Sequence, residues 1–100
     1  MTKYVLRTDH RAGFDREDKM ISLDSHDLLD AMLESENLCI NDDNLYCVCL
    51  YERVAKTNEY RQIMRSNNGM FFHVEGSSDY LTRSTYKVNG KTCESFEIHF

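Results

Sequence analysis

Leu45-Tyr46-Cys47-Val48-Cys49-Leu50-Tyr51-Glu52-Arg53-Val54 is the stretch whose reading decides the fold. Upstream of it the clearest apolar spacing is helical; from Leu45 onward the period is two. Leu45 to Tyr51 is apolar at every position once tyrosine and cysteine are counted, so both parities are apolar. That is the pattern of a central strand covered on both faces.

Downstream, residues 58–65 alternate, with Tyr60, Gln62 and Met64 of one parity and Glu59, Arg61, Ile63 and Arg65 of the other. Asn67-Asn68-Gly69 reads as a tight turn into a strand at 70–75, and Gly76-Ser77-Ser78-Asp79 as the next loop. Strands at 80–88 and 91–100 flank Asn89-Gly90, the strongest two-residue hairpin signal. Upstream, residues 3–8 read as a first strand, the charged segment 9–18 as a loop, and 19–23 as a short strand.

One helix follows. Asp24 has the character of an N-cap, with Asp27 completing an approximate capping box. Leu23 and Leu28 have the spacing of a hydrophobic staple. Leu28, Leu29, Met32 and Leu33 form an apolar stripe, leaving Asp27, Asp30 and Glu34 to line the wet face. The expected fold is α+β: an antiparallel meander of five or six strands with one amphipathic helix packed on one face, all in a single domain of residues 1–100.

Charge is distributed unevenly. The 100-residue chain carries a net −5, yet Asp24, Asp27, Asp30, Glu34, Glu36, Asp42 and Asp43 fall in one window that holds no lysine or arginine. The remainder is slightly basic. Such a window repels nucleic acid and attracts basic protein surfaces. A solvated helix exterior is the bland explanation, but ordinary exteriors mix charge signs. The acidic window is therefore the first candidate partner-binding surface, with acids three to four residues apart imitating nucleic-acid phosphates.

The second candidate is an anion-binding sheet face of Arg61, Arg65, Arg83 and Lys87, joined by His73 and Phe71. The acids Glu59, Glu75 and Glu97 have parities that would neutralise it, and the negative net charge opposes direct nucleic-acid binding. Metal chemistry lacks its spacing. Cys47-Val48-Cys49 is C-x-C on a strand, Cys39 and Cys93 are remote, and no two histidines are helically spaced. Asn41-Asp42-Asp43-Asn44 lacks the glycine and distant glutamate of a calcium loop.

Asp9-His10 and His73-Val74-Glu75 are acid/base pairs of the kind that any small protein contains, and the isolated glycines cradle no phosphate. No cofactor, metal or catalytic activity is expected. The longest apolar run is far shorter than a membrane span, and residues 1–7 lack the apolar core of a signal peptide, so a cytoplasmic protein with reduced cysteines is expected.

In size, acidity and lack of motifs the chain resembles the small stand-alone proteins that phages make to block host enzymes or defence systems. That resemblance implies a viral accessory protein inhibiting a host nucleic-acid-binding or defence complex. A non-catalytic interaction protein with a basic protein partner is the expected function; a nucleic-acid or nucleotide-binding module is the alternative. The strand-like ending Phe96-Glu97-Ile98-His99-Phe100 adds a homodimer through a strand edge.

Overall fold

A computed structural model describes the backbone at residues 1–12, 15–39, 45–67, 70–74 and 78–100, and the side chains there except those of 9–12, 15–18, 45–48, 67 and 70. The elements run β1 (Tyr4–Ala12), β2 (Asp15–Ser22), α1 (Leu28–Cys39), β3 (Leu45–Arg53), β4 (Glu59–Asn67), β5 (Met70–His73), β6 (Tyr80–Val88) and β7 (Lys91–His99). All described strand pairs are antiparallel, in the order β2-β1-β3-β4-β6-β7 with β5 also on β4. The fold is α+β, with seven strands in place of five or six.

Two departures from the sequence reading matter. The charged segment 9–18 is mostly strand: β1 and β2 extend through it as a hairpin, pairing Thr8 with Lys19 and Ala12 with Asp15. Charge does not exclude a strand whose backbone bonds are made by its neighbour. β2 and β3 are also not neighbours in the otherwise meander-like sheet, because β1 lies between them and pairs antiparallel with both. β2 and β3 are therefore parallel, and α1 is the crossover that joins them. Asn68, Gly69, Glu75, Gly76 and Ser77, assigned above to turns or to a strand end, lie outside the described residues.

β3 is central, as its apolar run requires. Leu50 joins Tyr4, Leu6, Leu23, Ala31 and Met64 in a buried cluster, against which Ile21, Leu28, Met32, Cys39, Ile63 and Phe71 pack. This is the face that carries the helix. Cys49 and Tyr51, of the other parity, join Val5, Tyr60 and Leu81 in a second cluster, with Met20, Phe96 and Ile98 against it. Leu6 and Leu50 are fully buried, contributing roughly 1.5–3 kcal/mol each.

The second cluster has no helix to cover it; the sheet itself rolls over. β6 pairs with β4 only from Tyr80 to Thr82, then continues with β7. Phe96 of β7 meets Tyr60 edge-on, with ring centroids 5.4 Å apart. Glu94 of β7 reaches Ser22 at the end of β2 and Thr2 just before β1. The last strand thus folds back toward the first two and closes the second core.

The expected alternation of β4 fails at one residue. Leu50 faces Met64 but Tyr51 faces Gln62, so Ile63 is an extra residue, a β-bulge. Ile63 accepts the Val74 amide at 3.0 Å. The bulge reverses parity: Tyr60 and Gln62 point to the rolled face, Met64 and Ser66 to the helix face. A testable consequence follows. Deleting Ile63 restores plain alternation without moving Gln62 or Met64 to the wrong face. The deletion variant should keep its fold and lose about 1–3 kcal/mol through lost packing and the Val74 bond. Two-dimensional amide NMR with urea titration checks this; a collapsed spectrum would contradict the bulge assignment.

Candidate functional site

The helix begins at Leu28, and its N-cap is Asp27, not Asp24. Asp27 Oδ1 accepts the Asp30 amide at 2.9 Å. That bond holds the Asp27 carboxyl below its ordinary range, with the charge of Lys3 a smaller cause. The proximity pushes Asp30 up, first through side-chain hydrogen bonding to Asp27 and then through its charge. Acids here also favour the positive helix N-terminus. No lysine or arginine lies within the acidic window, but Lys3, just before β1, donates to the His26 carbonyl at 2.9 Å.

Glu34 is not a free member of the wet face. It turns back to the chain before the helix, accepting the Asp24 amide, the Ser25 amide and the Ser25 hydroxyl, the last at 2.6 Å. Burial pushes its carboxyl up, but the Ser25 hydroxyl and the two amides outweigh this and leave it below the ordinary range. Asp27 and Glu34 are thus structural fasteners as well as charges. Asp24, Asp30 and Glu36 are exposed. Asp42 and Asp43 lie outside the described residues.

The apolar stripe is narrower than the leucine pattern indicates. Leu28, Ala31, Met32, Ser35 and Cys39 face the sheet; buried Ser35 satisfies its hydroxyl on the Ala31 carbonyl at 2.7 Å. Leu29 and Leu33 instead stay 66% and 50% exposed. On a helix, the neighbours of Leu33 are residues 29, 30, 36 and 37. The outward surface is therefore an apolar pair, Leu29 and Leu33, set between the acids Asp30 and Glu36. A small Ala and Ser at the sheet side let the helix sit close, which turns the two leucines outward. This surface went unread in the sequence because leucines at helical spacing are normally core.

The basic face is not assembled. Because of the bulge, Arg61 lies across from Glu52 on the helix side, whereas Arg65 lies across from Cys49 on the rolled side. Arg61 is held by Glu59 at 3.2 Å at the edge of an open depression of about 390 Å³ lined by Glu59, Arg61, Ser78, Asp79 and Tyr80. Arg83 is spent on Glu94, with Nε and Nη2 both 2.8 Å from one carboxylate oxygen. Lys87 sits far along the β6–β7 hairpin, and Phe71 packs in the first core. One residue of unread bulge disperses the constellation.

Among the described residues no three of His, Cys, Asp and Glu converge as metal ligands, and Cys39, Cys49 and Cys93 are not joined in disulfides. None of the described helices is long and apolar enough to cross a membrane. No family model, curated protein or solved structure matches the chain.

Proposed function

We propose that the protein is a non-catalytic interaction module that docks the outward face of α1 on a basic, partly apolar surface of another protein and thereby modulates or inhibits it. The observation that carries this reading is the exposed pair Leu29 and Leu33 held between Asp30 and Glu36. Apolar area supplies the affinity of such a contact, while acids steer the encounter and select basic partners. Asp24, Asp27 and Glu34 extend the negative field, and Asp42 and Asp43 continue it in sequence. A phage-type inhibitor of a host nucleic-acid-binding or defence complex, working in the cytoplasm of the producing or infected cell, is the biological setting that we propose for it.

The test is capture from native host lysate at low and moderate salt, with a photoreactive residue at position 33. Leu29→Ser with Leu33→Ser removes the apolar pair, and Asp30→Lys with Glu36→Lys reverses the charge. Asp27 and Glu34 are left intact because changing them would loosen the helix entry. A single basic protein crosslinked at position 33 and lost with both variants is the expected result. Equal capture by all three proteins would sink the reading.

A further inference from the structure

The β6–β7 hairpin continues well beyond the body of the protein. β6 leaves β4 after Thr82, with one further bond from the Arg83 amide to the Asn58 carbonyl, and every residue from Ser84 to Thr92 is exposed. Five residues of strand make an arm about 17 Å long. Its tip is preset: Asn89 and Gly90 have φ of 50° and 79°, the two positive values that a type I′ turn requires.

The arm is chemically the reverse of the helix face. No acid lies between Ser84 and Cys93, while Lys87 and Lys91 flank the turn. The register sets Tyr86 opposite Cys93 and Val88 opposite Lys91, so these four share one face. Tyr86 and Val88 are 50% and 49% exposed. On this ribbon Tyr86 and Val88 place their apolar area side by side on one exposed face, open to a partner.

We infer that this arm is a docking element for a second copy of the chain, laying Tyr86, Val88 and Lys91 on the outward face of the neighbour's α1. Tyr86 and Val88 would cover Leu29 and Leu33, and Lys91 would pair with Glu36 or Asp30. Charge complementarity selects this occupant: the arm carries Lys87 and Lys91 and no acid, and α1 carries Asp30 and Glu36 around a matching exposed apolar pair. The two surfaces differ, so each contact pairs the arm of one copy with the helix of the other. It uses the same helix face as the proposed partner contact, and self-association would mask that face. It needs no other protein, however, so failure to find a partner leaves it standing, and a strictly monomeric protein leaves the partner reading standing.

Sedimentation equilibrium from micromolar to millimolar protein tests it. Wild type should rise above its 11.8 kDa monomer mass as concentration increases. Tyr86→Ser with Lys91→Glu, and separately Leu33→Ser with Glu36→Lys, should each weaken association about tenfold or more. These positions are exposed, and unchanged melting curves would verify that both variants fold. Mixing the two variants leaves one intact arm and one intact helix face, so the mixture should recover a dimer and stop there. A monomer at every concentration overturns the inference. So does association that neither variant weakens, as pairing of β7 edges would give, or loss that mixing does not restore.

Discussion

Replacing Tyr60 with alanine is expected to remove about 3–5 kcal/mol of stability, the range for deleting a large buried aromatic ring. Tyr60 is fully buried among Val5, Cys49, Tyr51 and Leu81, and its ring meets Phe96 at 90°. Its hydroxyl donates to the Thr2 carbonyl, just ahead of β1. One side chain thus ties β4 to the last strand and to the N-terminal segment, the two parts that close the rolled core. A domain of this size has about 5–15 kcal/mol in total, so the alanine variant should be partly unfolded at 37 °C. Tyr60→Phe separates the two contributions. It keeps the ring and strands one carbonyl, a loss of about 1 kcal/mol, equivalent to roughly 4–8 °C in melting temperature. Urea titrations followed by circular dichroism measure both. Burial also raises the phenol pKa. A raised folded value means that the contribution is complete below the unfolded value of about 10 and fades as pH climbs through the folded one. Equal stability of the alanine and phenylalanine variants would show that the ring does not hold the second core.

How much of this was readable beforehand depends on whether the information was local. Helix, turn and strand type are set by spacing, so Leu45–Arg53 was legible as the central strand and Asn89-Gly90 as a hairpin. The bulge at Ile63 was not legible. It exists because Tyr60 and Gln62 belong to the rolled core while Met64 belongs to the helix-side core, a demand made by strands distant in sequence. Sequence alternation across residues 60–64 therefore placed Arg61 and Arg65 together when the fold places them apart. The acidic helix was legible as a charged element, but its working face was not. Choosing Ala31 and Ser35 over Leu29 and Leu33 for the sheet side is a decision of packing distance, invisible in hydrophobicity alone. Likewise, two adjacent strands signal a hairpin, but only the early end of pairing with β4 reveals that half of it stands free.

Glu94→Gln is the second change with a large expected effect, about 2–4 kcal/mol. Three segments converge on the Glu94 carboxylate: the Thr2 hydroxyl at 2.6 Å, the Ser22 hydroxyl at 3.2 Å and the Arg83 guanidinium at 2.8 Å. Both partners of the ion pair are sheltered, with side chains 12% exposed for Arg83 and 21% for Glu94. Removing one charge leaves the arginine desolvated and uncompensated, which is why breaking such a pair costs about 3–5 kcal/mol when fully buried and somewhat less here. Replacing both, Glu94→Gln with Arg83→Met, should therefore recover most of the loss. The pH dependence gives an independent check. Burial alone would push the Glu94 carboxyl up, but the Thr2 hydroxyl, Arg83 and the Ser22 hydroxyl outweigh it and hold it low. The folded protein then binds fewer protons than the unfolded chain, so stability rises with pH. The contribution is present above the unfolded value of about 4.3 and is lost as pH falls through the folded one. The gap between wild type and Glu94→Gln should consequently be widest near neutrality and shrink in acid. A gap that stays constant down to the acid transition would mean that the carboxylate's charge does not hold the rolled sheet closed, leaving only its shape to do so.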